Sequence, residues 1–114
     1  MEGCIFCKII RGEIPAKKVY EDDDVLAMED ISPQAPLHLL LLPKRHIVNI
    51  LDLKPADAEL VGKIHLVAAE IARQRGVDEA GFRLVTNTNA GAGQSVFHIH
   101  FHLLAGRPLS WPPG

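Results

Sequence analysis

Three of the six histidines fall in one short run, Ser95-Val96-Phe97-His98-Ile99-His100-Phe101-His102-Leu103-Leu104, where they alternate with large apolar residues. Side chains of a strand point to opposite faces with a period of two. As a strand, the segment sets His98, His100 and His102 in a row on one face and turns Ile99, Phe101 and Leu103 toward a core. A merely wet strand face would mix polar types rather than repeat one. A row of imidazoles suits two chemistries. One is a metal site, since three imidazoles can hold a catalytic zinc. The other is covalent catalysis, in which a neutral imidazole attacks phosphorus while neighbours bind the phosphoryl oxygens and protonate the leaving group. Crowding helps the second, because adjacent imidazoles cannot all carry a proton near neutral pH.

The loop before the row separates the two. Asn87-Thr88-Asn89-Ala90-Gly91-Ala92-Gly93-Gln94-Ser95 holds two glycines, which let backbone N–H groups approach an anion. Gln94 and Ser95 add side-chain donors. A phosphoryl or nucleotidyl transfer site needs such a cradle, and a zinc hydrolase does not. A second constellation is Cys4-Ile5-Phe6-Cys7. No preceding strand or βαβ context supports a thioredoxin-like role. The pair reads as two free thiols or as half of a zinc site that needs two more ligands.

The elements that position these residues follow from pattern. Residues 5–11 carry apolar side chains at helical spacing and are stopped by Gly12 and Pro15. Val19-Tyr20-Glu21 and Val25-Leu26-Ala27-Met28 read as strands around the acidic turn Glu21-Asp22-Asp23-Asp24. Ser32-Pro33-Gln34-Ala35-Pro36 is a loop. His38-Leu39-Leu40-Leu41-Leu42 is short and flanked by Pro36 and Pro43, which favours a buried strand. Leu60, Val61, Ile64, Val67, Ala68, Ile71 and Ala72 form one stripe of a long helix from Pro55 to Gly76. Leu66 lies outside that stripe. Phe82-Arg83-Leu84-Val85-Thr86 and residues 97–104 complete the strands. The expected class is α+β, a mostly antiparallel sheet packed on the long helix.

At 114 residues the chain fits one domain, residues 1–114, with a core of its own. A net charge of -2 gives no basic surface for nucleic acid. No stretch reaches transmembrane length. The start, Met1-Glu2-Gly3-Cys4, is neither basic nor followed by a long apolar run. Two closely spaced cysteines are no secreted disulfide framework. The expected setting is cytoplasmic, with no membrane partner.

The segment His98-Ile99-His100-Phe101-His102-Leu103-Leu104 resembles the histidine-triad motif. The whole chain resembles the histidine-triad (HIT) nucleotide-binding proteins, in their purine nucleoside phosphoramidase branch. The likeness includes Asp30-Ile31-Ser32-Pro33-Gln34-Ala35-Pro36, His38, Pro43-Lys44, His46, Gly93-Gln94-Ser95-Val96, Gly106-Arg107 and Trp111-Pro112-Pro113-Gly114. It implies a five-stranded antiparallel sheet with one long and one short helix, two sheets being joined in a homodimer through the long helix and residues 82–87. It also implies hydrolysis of adenosine or guanosine 5'-phosphoramidates to AMP or GMP.

By the same resemblance, His100 is the nucleophile and forms a nucleotidyl-imidazole intermediate. His102 bonds the phosphate oxygens, Ser95 helps to protonate the leaving nitrogen, and His38 with His98 forms a relay behind the nucleophile. Asn87 and the stretch Gly93, Gln94, Ser95 and Val96 hold the phosphate, and Asp30 takes the ribose hydroxyls. Ile5, Phe6, Ile9, Ile31 and Leu40 sandwich the purine, and Met28, where many relatives carry an aromatic, lies against the base. Trp111 reaches toward the partner's site. His46 and His98 match the positions that complete a structural zinc site with Cys4 and Cys7, and catalysis requires no cofactor. The rivals are a dinucleoside polyphosphate hydrolase, a catalytically idle nucleotide-binding or scaffold protein, and a zinc hydrolase using the three histidines as ligands.

Overall fold

Asp22 begins the sheet by closing a tight turn. Its carboxylate accepts from the backbone N–H of Asp24 at 2.7 Å and of Val25 at 2.8 Å, the geometry that favours Asp in turns. The computed structural model describes residues 3–114; Met1 and Glu2, part of the N-terminal reading above, lie outside the described residues. The turn joins β1 (Lys18–Glu21) to β2 (Val25–Glu29). Then come β3 (Leu37–Pro43), β4 (Phe82–Val85) and β5 (Phe101–Ala105). The short helix α1 spans Ile5–Ile10 and the long helix α2 spans Ala58–Gln74. The five strands form one antiparallel sheet in the order β1-β2-β3-β5-β4. This is the expected α+β class and sheet.

Each face of the sheet is covered differently. Ile64, Val67, Ala68, Ile71 and Ala72 of α2 pack with Val25, Ala27, Leu39, Leu41, Phe101 and Leu103. Burying each large side chain contributes about 1.5–3 kcal/mol. On the opposite face α1 lays Phe6, Cys7 and Ile9 with Leu26, Met28, Leu40 and Leu42. Both sides of β3 are therefore dry, which explains its apolar run Leu39 to Leu42. No helix among the described residues is long and apolar enough to cross a membrane.

The largest differences from the sequence pattern lie at two boundaries. Pro55 opens a separate 3-10 turn, Pro55–Asp57, ahead of α2. The Asp57 N–H donates to the Lys54 carbonyl at 2.8 Å, and this three-residue spacing tightens the chain there. The last strand starts at Phe101 rather than at residue 97. Its neighbour β3 ends at Pro43, which lacks an N–H to continue a ladder. The Ile99 N–H goes instead to the Ile47 carbonyl at 2.6 Å. The inward alternation survives without the strand, because Ile99, Phe101 and Leu103 all enter the core beneath α2.

Candidate active site

Strand register sets out the site. Met28, Leu40, His102 and Val85 are successive partners across β2, β3, β5 and β4. His38, Leu104 and Arg83 form a second row. His102 thus stands between an apolar platform on the β2–β3 side and the β4 edge. Phe6, Ile9, Met28 and Leu40 build the platform with Val96 against it. Ile5 and Ile31, expected around the purine, are exposed at 45% and 102%, unlike the buried platform residues.

Hydrogen-bond partners assign each imidazole a tautomer. The Gln34 N–H donates to His38 Nδ1 at 3.0 Å. His38 therefore carries its proton on Nε2, which donates to His102 Nδ1 at 2.9 Å and lies 3.4 Å from Asp30 Oδ2. His102 is left with Nε2–H as a free donor. His100 Nδ1 donates to the His98 carbonyl at 2.8 Å, which leaves the Nε2 lone pair free. Thr86 Oγ1 donates to the His100 carbonyl at 2.9 Å and pins that residue's backbone. The His100 ring meets Phe6 edge-on at 5.1 Å and lies 5.1 Å from the His102 ring. One imidazole is thus set as a lone-pair donor beside another set as a proton donor.

His98 corrects the expected relay. Its side chain turns toward the cysteines, with Nδ1 at 3.3 Å from Cys4 Sγ, 3.5 Å from Cys7 Sγ and 3.2 Å from His46 Nδ1. His98 serves His100 through its backbone carbonyl alone, and His38 serves His102. The three histidines of the alternation consequently do not converge on one point. Among the described residues the two sets of donor atoms that do converge are Cys4, Cys7, His46 and His98, and Asp30, His38 and His102.

Gln94 is a second correction. It is buried, at 4% exposure, and its amide is fully used inside the protein. Nε2 donates to the Val48 carbonyl at 2.8 Å and the Val96 carbonyl at 3.2 Å. Oε1 accepts from the Asn89 N–H at 2.7 Å and from Asn49 Nδ2 at 3.2 Å. No donor remains for a nucleotide. Asn49 was missed by sequence reading; a polar residue between Val48 and Ile50 was its one signal. The loop also holds Asn89 at φ 70°, ψ 165°, a region nearly reserved for glycine that costs about 1–3 kcal/mol.

His38, Asn87 and His102 line a cleft of about 340 Å³ with Gln34, Arg83, Val85 and Arg107. Gly93 has φ 95°, and a Cβ there would come within 3.9 Å of Asn87 Nδ2, so the loop backbone runs close to that amide. Ser95 and Val96 line a second cleft with Ile5, Cys4 and His46. Asp30 is half-buried; Oδ1 accepts from the Ser32 N–H at 2.8 Å, and Oδ2 faces His38. Trp111 is 83% exposed and lines neither cleft of this chain.

Burial, first of all, lowers the proton affinity of His98, His100 and His102. His102 falls to about 4, helped by the neighbouring charges of His100 and His38 and opposed by Asp30. The unfolded chain, with an ordinary value near 6.5, binds this proton where the folded one does not. Stability from this group is complete above about pH 6.5 and is lost as pH falls toward 4. Denaturant midpoints measured between those limits should therefore decline with acid. A His102→Gln variant should decline less steeply; identical slopes would show that His102 is not a contributor.

A HIT domain model matches residues 11–109. The chain is 52% identical over 108 residues to the purine nucleoside phosphoramidase of Escherichia coli K12, covering 95% of this chain and 91% of that protein. It is also 52% identical to an uncharacterized HIT-like protein of Synechocystis, over 99% of this chain and 98% of that one. Among solved structures, a HIT family hydrolase from Legionella pneumophila superposes with a TM-score of 0.96 at 54% identity, covering 98% of this chain and 100% of that one. A histidine triad protein from Clostridium difficile gives 0.93 at 46% identity, with 96% of each chain covered.

Proposed function

The chain belongs to the HIT family, and from that premise we propose that it hydrolyses purine nucleoside 5'-phosphoramidates to the nucleoside monophosphate and an amine. The observation that carries this reading is the pair of opposed tautomers. His100 offers a lone pair at Nε2 because its Nδ1–H is held by the His98 carbonyl. His102 offers an N–H because His38 occupies its other nitrogen. The purine rests on Phe6, Ile9, Met28 and Leu40, and Asp30 receives the ribose. His100 Nε2 attacks phosphorus while His102 Nε2–H and the backbone of the Gly93 loop hold the phosphoryl oxygens. The P–N bond breaks with its electron pair on nitrogen, which takes the Ser95 hydroxyl proton. Water then cleaves the phosphorus–imidazole bond, releases the monophosphate and returns a proton to Ser95.

The reading includes a structural zinc held by Cys4, Cys7, His46 and His98. The donor chemistry fits. His98 Nε2 donates to the Pro43 carbonyl at 2.8 Å, which fixes its Nδ1 as a ligand atom. That nitrogen lies 3.2 Å from His46 Nδ1, so His46 and His98 would both be able to hold a cation, which would relieve the close approach of the two nitrogens. Cys7 is pushed up by burial, so its thiolate needs a positive charge at hand. Held by these residues, zinc would cross-link α1 to the segment before β5. The reading also includes a cytoplasmic setting, where thiols stay reduced, and a homodimer. β4 is an edge strand with exposed Phe82, and Leu66 is exposed on α2, features that a second copy would cover.

The test is adenosine 5'-phosphoramidate added to chelator-treated protein, with quenched samples read by intact mass. One nucleotidyl group per chain on the way to AMP is expected, and native mass should read two chains. Turnover with no adduct at any quench time counts against covalent catalysis, and no AMP counts against the activity.

A further inference from the structure

Asn49 lies outside both the histidine run and the glycine loop, and it is 4% exposed. Its Nδ2 donates to Asn89 Oδ1 at 3.0 Å and to Gln94 Oε1 at 3.2 Å. Its Oδ1 accepts from the Leu51 N–H at 3.0 Å. Gln94 in turn grips Val48 and Val96 and accepts from the Asn89 backbone. Three amides thus bind the two ends of the loop, residues 89 and 94–96, to the segment 48–49. Asn89 meanwhile keeps a backbone conformation that glycine would adopt without strain. A strained residue persists where its surroundings over-determine it, and here its side chain is one arm of the clamp.

We propose that Asn49 is a positioning residue for the reaction: with Gln94 it clamps the 89–96 loop in the form that presents Ser95 to the leaving nitrogen. The proposal rests on the phosphoramidase reading above and on Ser95 as the proton donor. Ser95 directly follows Gln94, so its backbone is set by the amide that Asn49 holds. The clamp matters in the step where the P–N bond breaks and nitrogen accepts the Ser95 proton. A leaving group that departs as a stable anion needs no such proton and is insensitive to the clamp.

The discriminating measurement uses two substrates, an adenosine 5'-phosphoramidate of an alkylamine and the 4-nitrophenyl ester of AMP. Asn49→Asp keeps the oxygen that receives the Leu51 N–H but faces Gln94 Oε1 and Asn89 Oδ1 with an acceptor. Its kcat should fall about 30-fold to 100-fold with the alkylamine, within the range of lost general-acid catalysis, and less than about fivefold with the nitrophenyl ester. Ser95→Ala should show the same asymmetry. Asn89→Gly, which relieves backbone strain and removes only the side-chain acceptor, should shift kcat in the same direction without lowering Tm. Equal losses on both substrates, or none in either variant, would overturn the clamp while leaving the activity standing. Wild-type protein inactive on both substrates would sink the activity and the clamp together.

Discussion

His100→Ala should lower kcat/KM for an adenosine 5'-phosphoramidate by about 10⁴-fold or more and abolish the nucleotidyl adduct. The magnitude follows from removing the attacking atom, since neither other histidine of the run has a free lone pair at the cleft, and His65, whose Nδ1 also bonds a backbone carbonyl, lies on α2. His98 directs its free nitrogen to the cysteines, and His102 gives its Nδ1 to His38. Water attacking directly would retain only what phosphate binding contributes. His102→Ala should cost less, about 10²-fold to 10³-fold, because it removes one donor to the phosphoryl oxygens and leaves the nucleophile in place. Steady-state kinetics with both variants, checked for folding by near-UV circular dichroism, decides the matter. A His100→Ala protein that retains a tenth of wild-type turnover would reassign the nucleophile. The isosteric control His100→Gln should be as inactive as alanine, because an amide at this position neither attacks phosphorus nor forms a phosphorus–nitrogen intermediate.

Removal of the metal should separate stability from chemistry. Stripping zinc with a strong chelator, or replacing Cys7 by alanine, should lower Tm by about 10 °C. That corresponds to the roughly 2.7 kcal/mol expected when a ligand at a hundred times its Kd is withdrawn. The donor set brings together Cys4 and Cys7 at the start of α1, His46 after β3 and His98 before β5, so an ion bound there would join segments far apart in sequence. Turnover by stripped protein held well below its Tm should remain within about tenfold of the zinc-loaded sample. A modest loss is expected, since the His98 carbonyl that holds His100 belongs to one of the residues that would bind the ion. Complete loss of turnover, restored by zinc in proportion to occupancy, would instead place the metal in the chemistry. An unchanged Tm would remove zinc from the fold. Differential scanning fluorimetry beside a turnover assay reads both quantities from one preparation.

The order of the elements, the burial of β3 and the amphipathic face of α2 were legible because each is a local pattern. Pro36 and Pro43 bracket one apolar run, and Ile64, Val67, Ala68 and Ile71 repeat at helical spacing. The alternation of Ile99, Phe101 and Leu103 with histidines was legible for the same reason, and those three residues are indeed in the core. The exposure of Ile5 and Ile31 was not legible, because a short apolar motif does not reveal whether its outward residue meets the same chain or solvent.

What tertiary structure alone decided is the direction and protonation of each polar group. An imidazole's tautomer depends on the atom opposite its other nitrogen. Those atoms come from Gln34, from Pro43 and from the histidines' own neighbours across the sheet. The diversion of His98 to the cysteines has the same origin. The ladder cannot continue past Pro43, so the chain bends at residues 96–98 and one histidine leaves the row. Gln94 reads in sequence as a phosphate donor, but its buried amide had to find partners within the protein, and Asn49, 45 residues away, is one of them. Sequence by itself determined which residue types alternate and where backbone can pair; the folded chain determined which nitrogen of each imidazole carries a proton and which keeps a lone pair, through a carbonyl two residues away for His100 and through distant segments for His38, His98 and His102.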